Sequence, residues 1–201
     1  MTDPLGKDSD RAVRDMALAK SLMFTCYQMY HSTKSGIAPS MLCILKQLTF
    51  FIKDNIKYVI NYSGIAPEYV LFPDRGNYDM NVPDEAPFYI LRPEVAESLF
   101  VLAQLTNETI YREWAWEIWQ AIDRHCHVDN VFASLKDVRN PKSGVNDRME
   151  SFFLAETIKY LYLSQDIENR LVDLSISVLN TEAHPIRIFD NKHRSVVETY
   201  S

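Results

Sequence analysis

Glycine is scarce in this chain, 5 of 201 residues, and proline adds only 9. That excludes collagen-like and linker-like architectures and disfavours a turn-dense all-β fold. Positive charge is also short: 21 Lys and Arg against 27 Asp and Glu leave a net charge of −6, so there is no basic footprint for nucleic acid. Long apolar runs are missing. The best stretch, residues 41–62, is broken by Lys46, Lys53, Asp54 and Lys57, whereas a bilayer span needs about 20 predominantly apolar residues. The first ten residues are polar and acidic, without the apolar core of a secretory signal. Cysteine amounts to Cys26, Cys43 and Cys126, too few and too scattered for a metal knuckle, and the odd number leaves at least one unpaired within the chain. No Gly-rich phosphate loop, Gly-x-Ser-x-Gly elbow, His-Glu-x-x-His or EF-hand pattern occurs. Most nucleotide-binding, serine-hydrolase, zinc-protease and EF-hand functions are thereby set aside.

What is present is a helical pattern. A hydrophobic content of 47% excludes global disorder, and the length is that of one domain with a sizeable core. Apolar residues recur at three- and four-residue steps over residues 10–30 (Ala12, Met16, Ala19, Met23, Cys26). Residues 93–105 follow, with Val95, Leu99 and Leu102 on one face and Pro93 where a first-turn proline is tolerated. After a turn at 106–109, residues 111–126 form the return helix, striped by Trp114, Ile118 and Ile122. Residues 149–163 give a fourth helix and 167–179 a fifth, while strand signals are short and local, at 69–72 and 89–91.

Three repeats or motifs stand out. The start of 93–105 is echoed 53 residues later (Ala96-Glu-Ser-Leu-Phe100 against Met149-Glu-Ser-Phe-Phe153), which reads either as a repeated helical hairpin needing neighbours or as chance similarity between amphipathic helices. Ser35-Gly-Ile-Ala-Pro39 recurs identically as Ser63-Gly-Ile-Ala-Pro67, marking residues 36–63 as an insert or duplicated segment. Two glycosylation sequons occur, Asn61-Tyr-Ser63 and Asn107-Glu-Thr109, the second in the expected turn.

The informative polar residues are acidic ones set among apolar neighbours, since charges are rarely buried without a partner. Glu94 follows Arg92-Pro93 at a helix start, where backbone N–H groups stabilise a carboxylate. Glu156 lies in an otherwise apolar helical turn, and Glu68 ends the second Gly-Ile-Ala-Pro run. Asn180-Thr-Glu-Ala-His-Pro185 concentrates oxygen donors in what is otherwise a capped turn. His125, Cys126 and His127 are consecutive and cannot converge on one metal from a helix, so they read as a solvated helix end. Carboxylate chemistry remains, with glycoside hydrolysis as its main template.

Four collinear phrases carry a resemblance. Tyr89-Ile-Leu-Arg-Pro-Glu-Val-Ala-Glu-Ser98, Tyr111-Arg-Glu-Trp-Ala-Trp-Glu117, Met149-Glu-Ser-Phe-Phe-Leu-Ala-Glu-Thr-Ile-Lys-Tyr-Leu-Tyr-Leu163 and Asn180-Thr-Glu-Ala-His-Pro185 closely resemble the C-terminal part of the class I α-1,2-mannosidases, glycoside hydrolase family 47. Thr25-Cys-Tyr-Gln-Met-Tyr30 and Gly64-Ile-Ala-Pro-Glu68 extend it upstream. The resemblance implies an all-α fold, part of an (α/α)7 barrel with short local β-hairpins, with residues 1–201 forming the C-terminal portion of one catalytic domain. It further implies calcium-dependent, inverting hydrolysis of terminal α-1,2-linked mannose from high-mannose N-glycans on glycoproteins. Glu94 resembles the base that activates water, and Glu68 another catalytic acidic position. Arg92, Phe152 and Glu156 would contact the sugar. Thr181 would ligate calcium directly, with Glu182 and Glu156 acting through water.

The same resemblance implies a Golgi-type enzyme of the Golgi or endoplasmic reticulum lumen, with a type II membrane anchor on the parent protein. Its general acid would lie in an N-terminal half with no counterpart here, so this polypeptide alone is expected to turn over little or no substrate. The cysteine resembling Cys26 normally pairs with one shortly upstream, and no cysteine stands there. Two alternatives follow: a catalytically inactive glycan-binding or interaction protein, and a degradation-enhancing mannosidase-like protein of glycoprotein quality control.

Overall fold

A computed structural model describes residues 9–31, 65–71 and 82–188 of the chain. Residues 36–63, read above as an insert, lie outside the described residues. Helix α1 is Asp10–His31, α2 Glu94–Thr106, α3 Thr109–Cys126 and α4 Ile158–Ser164. Three antiparallel pairs join them: β1 (His127–Val128) with β2 (Val131–Phe132), β3 (Ser134–Leu135) with β4 (Val145–Asn146), and β5 (Ser177–Leu179) with β6 (Pro185–Arg187).

Helix α1 starts where Ser9 caps it, its Oγ accepting from the Ala12 N–H at 3.2 Å. Its apolar stripe turns inward at Met23 and Tyr27. The Tyr27 ring stacks on Trp114 of α3 with centroids 3.8 Å apart, and its hydroxyl donates to Glu117 at 2.6 Å. Helix α2 ends at Asn107, whose left-handed backbone (φ 57°) directs its N–H to the Ala103 carbonyl. Only Asn107 and Glu108 separate α2 from α3, so the two form a helical hairpin.

Helix α4 packs across that hairpin. Leu99, Phe100, Ile122, Phe153 and Tyr160 are wholly or almost wholly buried in the shared core, and the stripes expected on α2 and α3 are those that face it. Arg112 ties the far end together. Its guanidinium donates to the carbonyls of Ser164 and Asp166, meeting acceptors that a helix C-terminus leaves open.

Several expectations are corrected. No helix occupies 167–179: those residues form turns and then β5. Asp166 accepts the Leu171 N–H and Asp173 the Ser175 N–H, local bonds that compete with helical ones. The second copy of the hairpin echo is therefore followed by a strand pair rather than a helix. At 69–72 only Leu71 takes part in a bridge, with Phe72 outside the described residues. At 89–91 only Tyr89 pairs, exchanging hydrogen bonds of 3.0 and 2.9 Å with Leu135. The 125–127 segment is not a uniformly solvated helix end. Cys126 is fully buried, and burial pushes its thiol up to about 12. His127 opens β1 and stacks on Phe132.

Candidate active site

The site is assembled at the N-terminal end of α2, where three segments meet. The first is the approach to that helix. Leu91 is fully buried and left-handed (φ 68°), a conformation that strains a bulky side chain by about 1–3 kcal/mol. Its carbonyl accepts the buried Thr157 hydroxyl at 2.7 Å. That bond fixes the turn from which Arg92, Pro93 and Glu94 project. Pro93, itself in a helical conformation, leads into α2.

Arg92 is the hub. Its Nε lies 3.0 Å from both Glu68 oxygens, and its Nη2 bonds Glu68 Oε1 as well. This is a forked charge-assisted contact, stronger than a single neutral bond. Glu94 Oε1 lies 4.0 Å from Arg92 Nη1 on the other side. Glu68 raises the Arg92 pKa further, chiefly through that hydrogen bond. Glu68 is itself anchored: the preceding Ile65, Ala66 and Pro67 are buried, and its N–H bonds the Ala86 carbonyl at 3.0 Å.

The second segment is a π-helical turn, Phe153–Thr157, immediately before α4. The wider turn carries Phe153 and Thr157 into the core, while Phe152 and Glu156 stay half-buried. Single π turns inside helices are frequent at functional sites. Burial first, and then the negative charges of Glu182, Glu97 and Glu94, hold the Glu156 carboxyl above its usual range; Lys159 offsets part of this.

The third segment is the turn between β5 and β6. Asn180 Oδ1 accepts the N–H groups of Glu182 and His184 at 3.1 and 2.8 Å, and Ala183 is buried in a left-handed conformation. Lys159 Nζ donates to the Ala183 carbonyl at 3.2 Å, joining this turn to α4. Thr181 stands exposed at its tip, beside Glu182.

Thus Glu68, Arg92 and Glu94 form one contact set, and the charges of Glu182 and Glu94 reach Glu156. Thr181 is next to Glu182 in the chain and is exposed. Sequence reasoning missed Glu97, whose carboxylate accepts the Tyr160 hydroxyl at 3.3 Å, and it missed Thr157. The signal for the first was available: Glu97 stands one turn from Glu94, and Tyr160 one turn from Glu156.

Two expected results follow from this geometry. Thr157→Val leaves the buried Leu91 carbonyl without its partner and should cost about 1–3 kcal/mol, read as a lower urea midpoint. Thr157→Ser, which keeps the hydroxyl, should recover most of that loss. The raised Glu156 pKa means that folding disfavours the ionised carboxylate relative to the unfolded chain. Its contribution is intact below the unfolded glutamate pKa and is lost as pH rises through the higher folded value. Glu156→Gln should therefore melt above the native chain at neutral pH without divalent cations. The gap should close on acidification, as followed by circular dichroism.

The donors gathered here are hard oxygens, the carboxylates of Glu94, Glu97, Glu156 and Glu182 with the Thr181 hydroxyl and carbonyl. Hard oxygens are the donors that calcium takes, and the charges of Glu182, Glu97 and Glu94 raise the Glu156 pKa. Among the described residues, no three carboxylate, histidine or cysteine side chains converge as a ready-made metal cage.

Known proteins resemble this chain over most of its length. The chain is 36% identical over 182 residues to mannosyl-oligosaccharide 1,2-alpha-mannosidase mans-2 of Caenorhabditis elegans, covering 90% of this chain and 26% of the relative. It is 35% identical over 176 residues to the human endoplasmic reticulum mannosyl-oligosaccharide 1,2-alpha-mannosidase, covering 87% of this chain and 22% of the relative. The structure superposes on the alpha-1,2-mannosidase from Trichoderma reesei with a TM-score of 0.64 at 26% identity, over 92% of this chain and 36% of that one. The chain thus spans about a quarter of the length of these curated relatives and forms part of an (α/α)7 barrel. Relatives of different names match at similar identity, so a Golgi-type subgroup is not distinguished. Residues 5–188 match the sequence model of glycosyl hydrolase family 47, and the chain belongs to that family.

Proposed function

We propose that this chain is the C-terminal part of the catalytic domain of a calcium-dependent, inverting mannosyl-oligosaccharide 1,2-α-mannosidase that trims high-mannose N-glycans. The observation that carries the reading is the Arg92–Glu68 fork beside Glu94 at the start of α2, with Glu94 close enough to raise the Glu156 pKa. In this reading Glu94 accepts a proton from the attacking water. Arg92, held by Glu68, keeps a positive charge beside the sugar and orients its hydroxyls. Phe152 offers an apolar face to the ring, and Glu156 and Glu182 hold water and sugar hydroxyls. Thr181, through its hydroxyl and carbonyl, would hold calcium, with Glu156 and Glu182 bonded to the ion's waters. Calcium, when bound, would grip vicinal sugar hydroxyls and favour a ring distorted toward the oxocarbenium-like transition state. Inversion requires a general acid roughly 6.5–9.5 Å from the base, and that acid belongs to the rest of the barrel.

The names of relatives from the endoplasmic reticulum support a setting in the secretory pathway; the family resemblance adds to the proposal a lumenal site in the endoplasmic reticulum or Golgi and a type II anchor on the parent protein. Among the described residues no helix is long and apolar enough to cross a membrane.

The test is a chimera in which this chain, without residues 36–63, replaces the matching third of the Trichoderma reesei enzyme. Calcium-dependent release of α-1,2-linked mannose, with the anomeric configuration of the fresh product inverted by proton NMR, is the expected result. A folded chimera that binds high-mannose glycan without releasing mannose would overturn the enzymatic reading in favour of a binding protein.

A further inference from the structure

The α2–α3 connection carries a motif that the proposed site does not use. Asn107-Glu108-Thr109 is a sequon, and the fold presents it well. Asn107 sits in a left-handed C-cap position, and its backbone N–H is spent on the Ala103 carbonyl. Its side chain is exposed, and among the described residues its carboxamide makes no hydrogen bond. Thr109, the first residue of α3, is exposed and likewise keeps its hydroxyl uncommitted. Glu108, between them, is drawn aside to Lys20 of α1, so the middle residue does not cover its neighbours.

The position relative to the site also matters. Glu94 opens α2 and Asn107 closes it, 13 helical residues apart. At about 1.5 Å per residue, roughly 20 Å of helix separates the two ends, so a group on Asn107 projects away from the acidic cluster. Two apolar side chains lie exposed near Asn107 in the sequence, Leu105 at 59% and Ile110 at 38%. A sugar's carbon-rich face could cover such side chains.

We propose that Asn107 is an N-glycosylation site. The Asn107 Nδ2–C1 bond forms to the reducing-end N-acetylglucosamine of a lipid pyrophosphate-linked oligosaccharide. The C1–O bond to the pyrophosphate breaks, the lipid pyrophosphate departs with that bonding pair, and the displaced Nδ2 proton passes to the transferase's base. This inference rests on the lumenal setting proposed above, and its test is arranged to separate the two.

The full chain is produced in a eukaryotic cell behind a cleavable secretion signal, and the total signal-cleaved pool is analysed. Release of the glycan by an amidase in heavy-oxygen water converts an occupied Asn107 to labelled Asp, read by peptide mass spectrometry. The expected result is a labelled Asn107 peptide and a gel shift that collapses on treatment. Asn107→Gln and Thr109→Ala should each abolish the label at this site; the second leaves the left-handed asparagine in place. An unlabelled Asn107 peptide from signal-cleaved chain would overturn the proposal. So would a glycosylated chain that loses its cooperative melt while Asn107→Gln keeps it, because the glycan would then clash with the fold. Fractionation of the natural protein tests the lumenal setting separately. A natural protein found outside the secretory pathway would overturn glycosylation in the cell, even with an acceptor-competent Asn107.

Discussion

Glu94→Gln in the completed barrel of the chimera is expected to lower kcat for mannose release by about 10²–10⁴-fold, with KM little changed. The substitution keeps size and hydrogen-bonding capacity but removes the group proposed to take the proton from water. Glu94 is suited to that task because it is the first residue of α2, is not swallowed by the core, and lies 4.0 Å from Arg92 rather than in its fork. It therefore retains oxygens for water. Glu97→Gln, one turn along the same helix and engaged with Tyr160, should cost far less. Equal losses from the two would mean that the cluster acts only through summed charge, and the assignment of Glu94 as base would fail.

Arg92→Met is expected to reduce both stability and sugar recognition. The fork to Glu68 is partly buried, with side-chain exposures of 32% and 21%. Removing the cation leaves a half-buried carboxylate without its main partner, for about 2–3 kcal/mol, seen as a lower denaturant midpoint. In the chimera KM should rise as well, because the charge beside the sugar is gone. Arg92→Lys, which keeps the charge but loses the planar fork, should fall between the two. A methionine variant with native stability and native KM would remove Arg92 from the site altogether.

Much of this was legible in the sequence, for identifiable reasons. The faces of α2 and α3 follow from period alone, because Leu99, Ile118 and Ile122 sit on stripes that only one side of a helix can carry. Glu94, Arg92 and Glu68 were visible as charges at element ends beside proline, positions that secondary structure itself defines. What stayed hidden depends on contacts between distant segments. Nothing local at Leu91 announces a left-handed leucine; the turn is held by the Thr157 hydroxyl, 66 positions later. The false helix at 167–179 was an error of the opposite kind. Its apolar spacing permitted a helix, yet Asp166 and Asp173 satisfy nearby N–H groups more cheaply in turns.

The π turn at Phe153–Thr157 makes the chain's register there an inherited quantity. A π turn accommodates one residue more than the surrounding helix would, so the segments on its two sides keep their faces while the residues inside it are aimed differently. Shortening 153–157 by one residue would let a regular helix run through and move the side chains inside the turn to other faces, at about 100° per residue. Glu156 would then shift relative to Phe152, although no side chain would have been substituted. Length in this stretch is therefore as constrained as identity, and alignments or grafts that slip a gap into it would carry the motif's letters without its geometry.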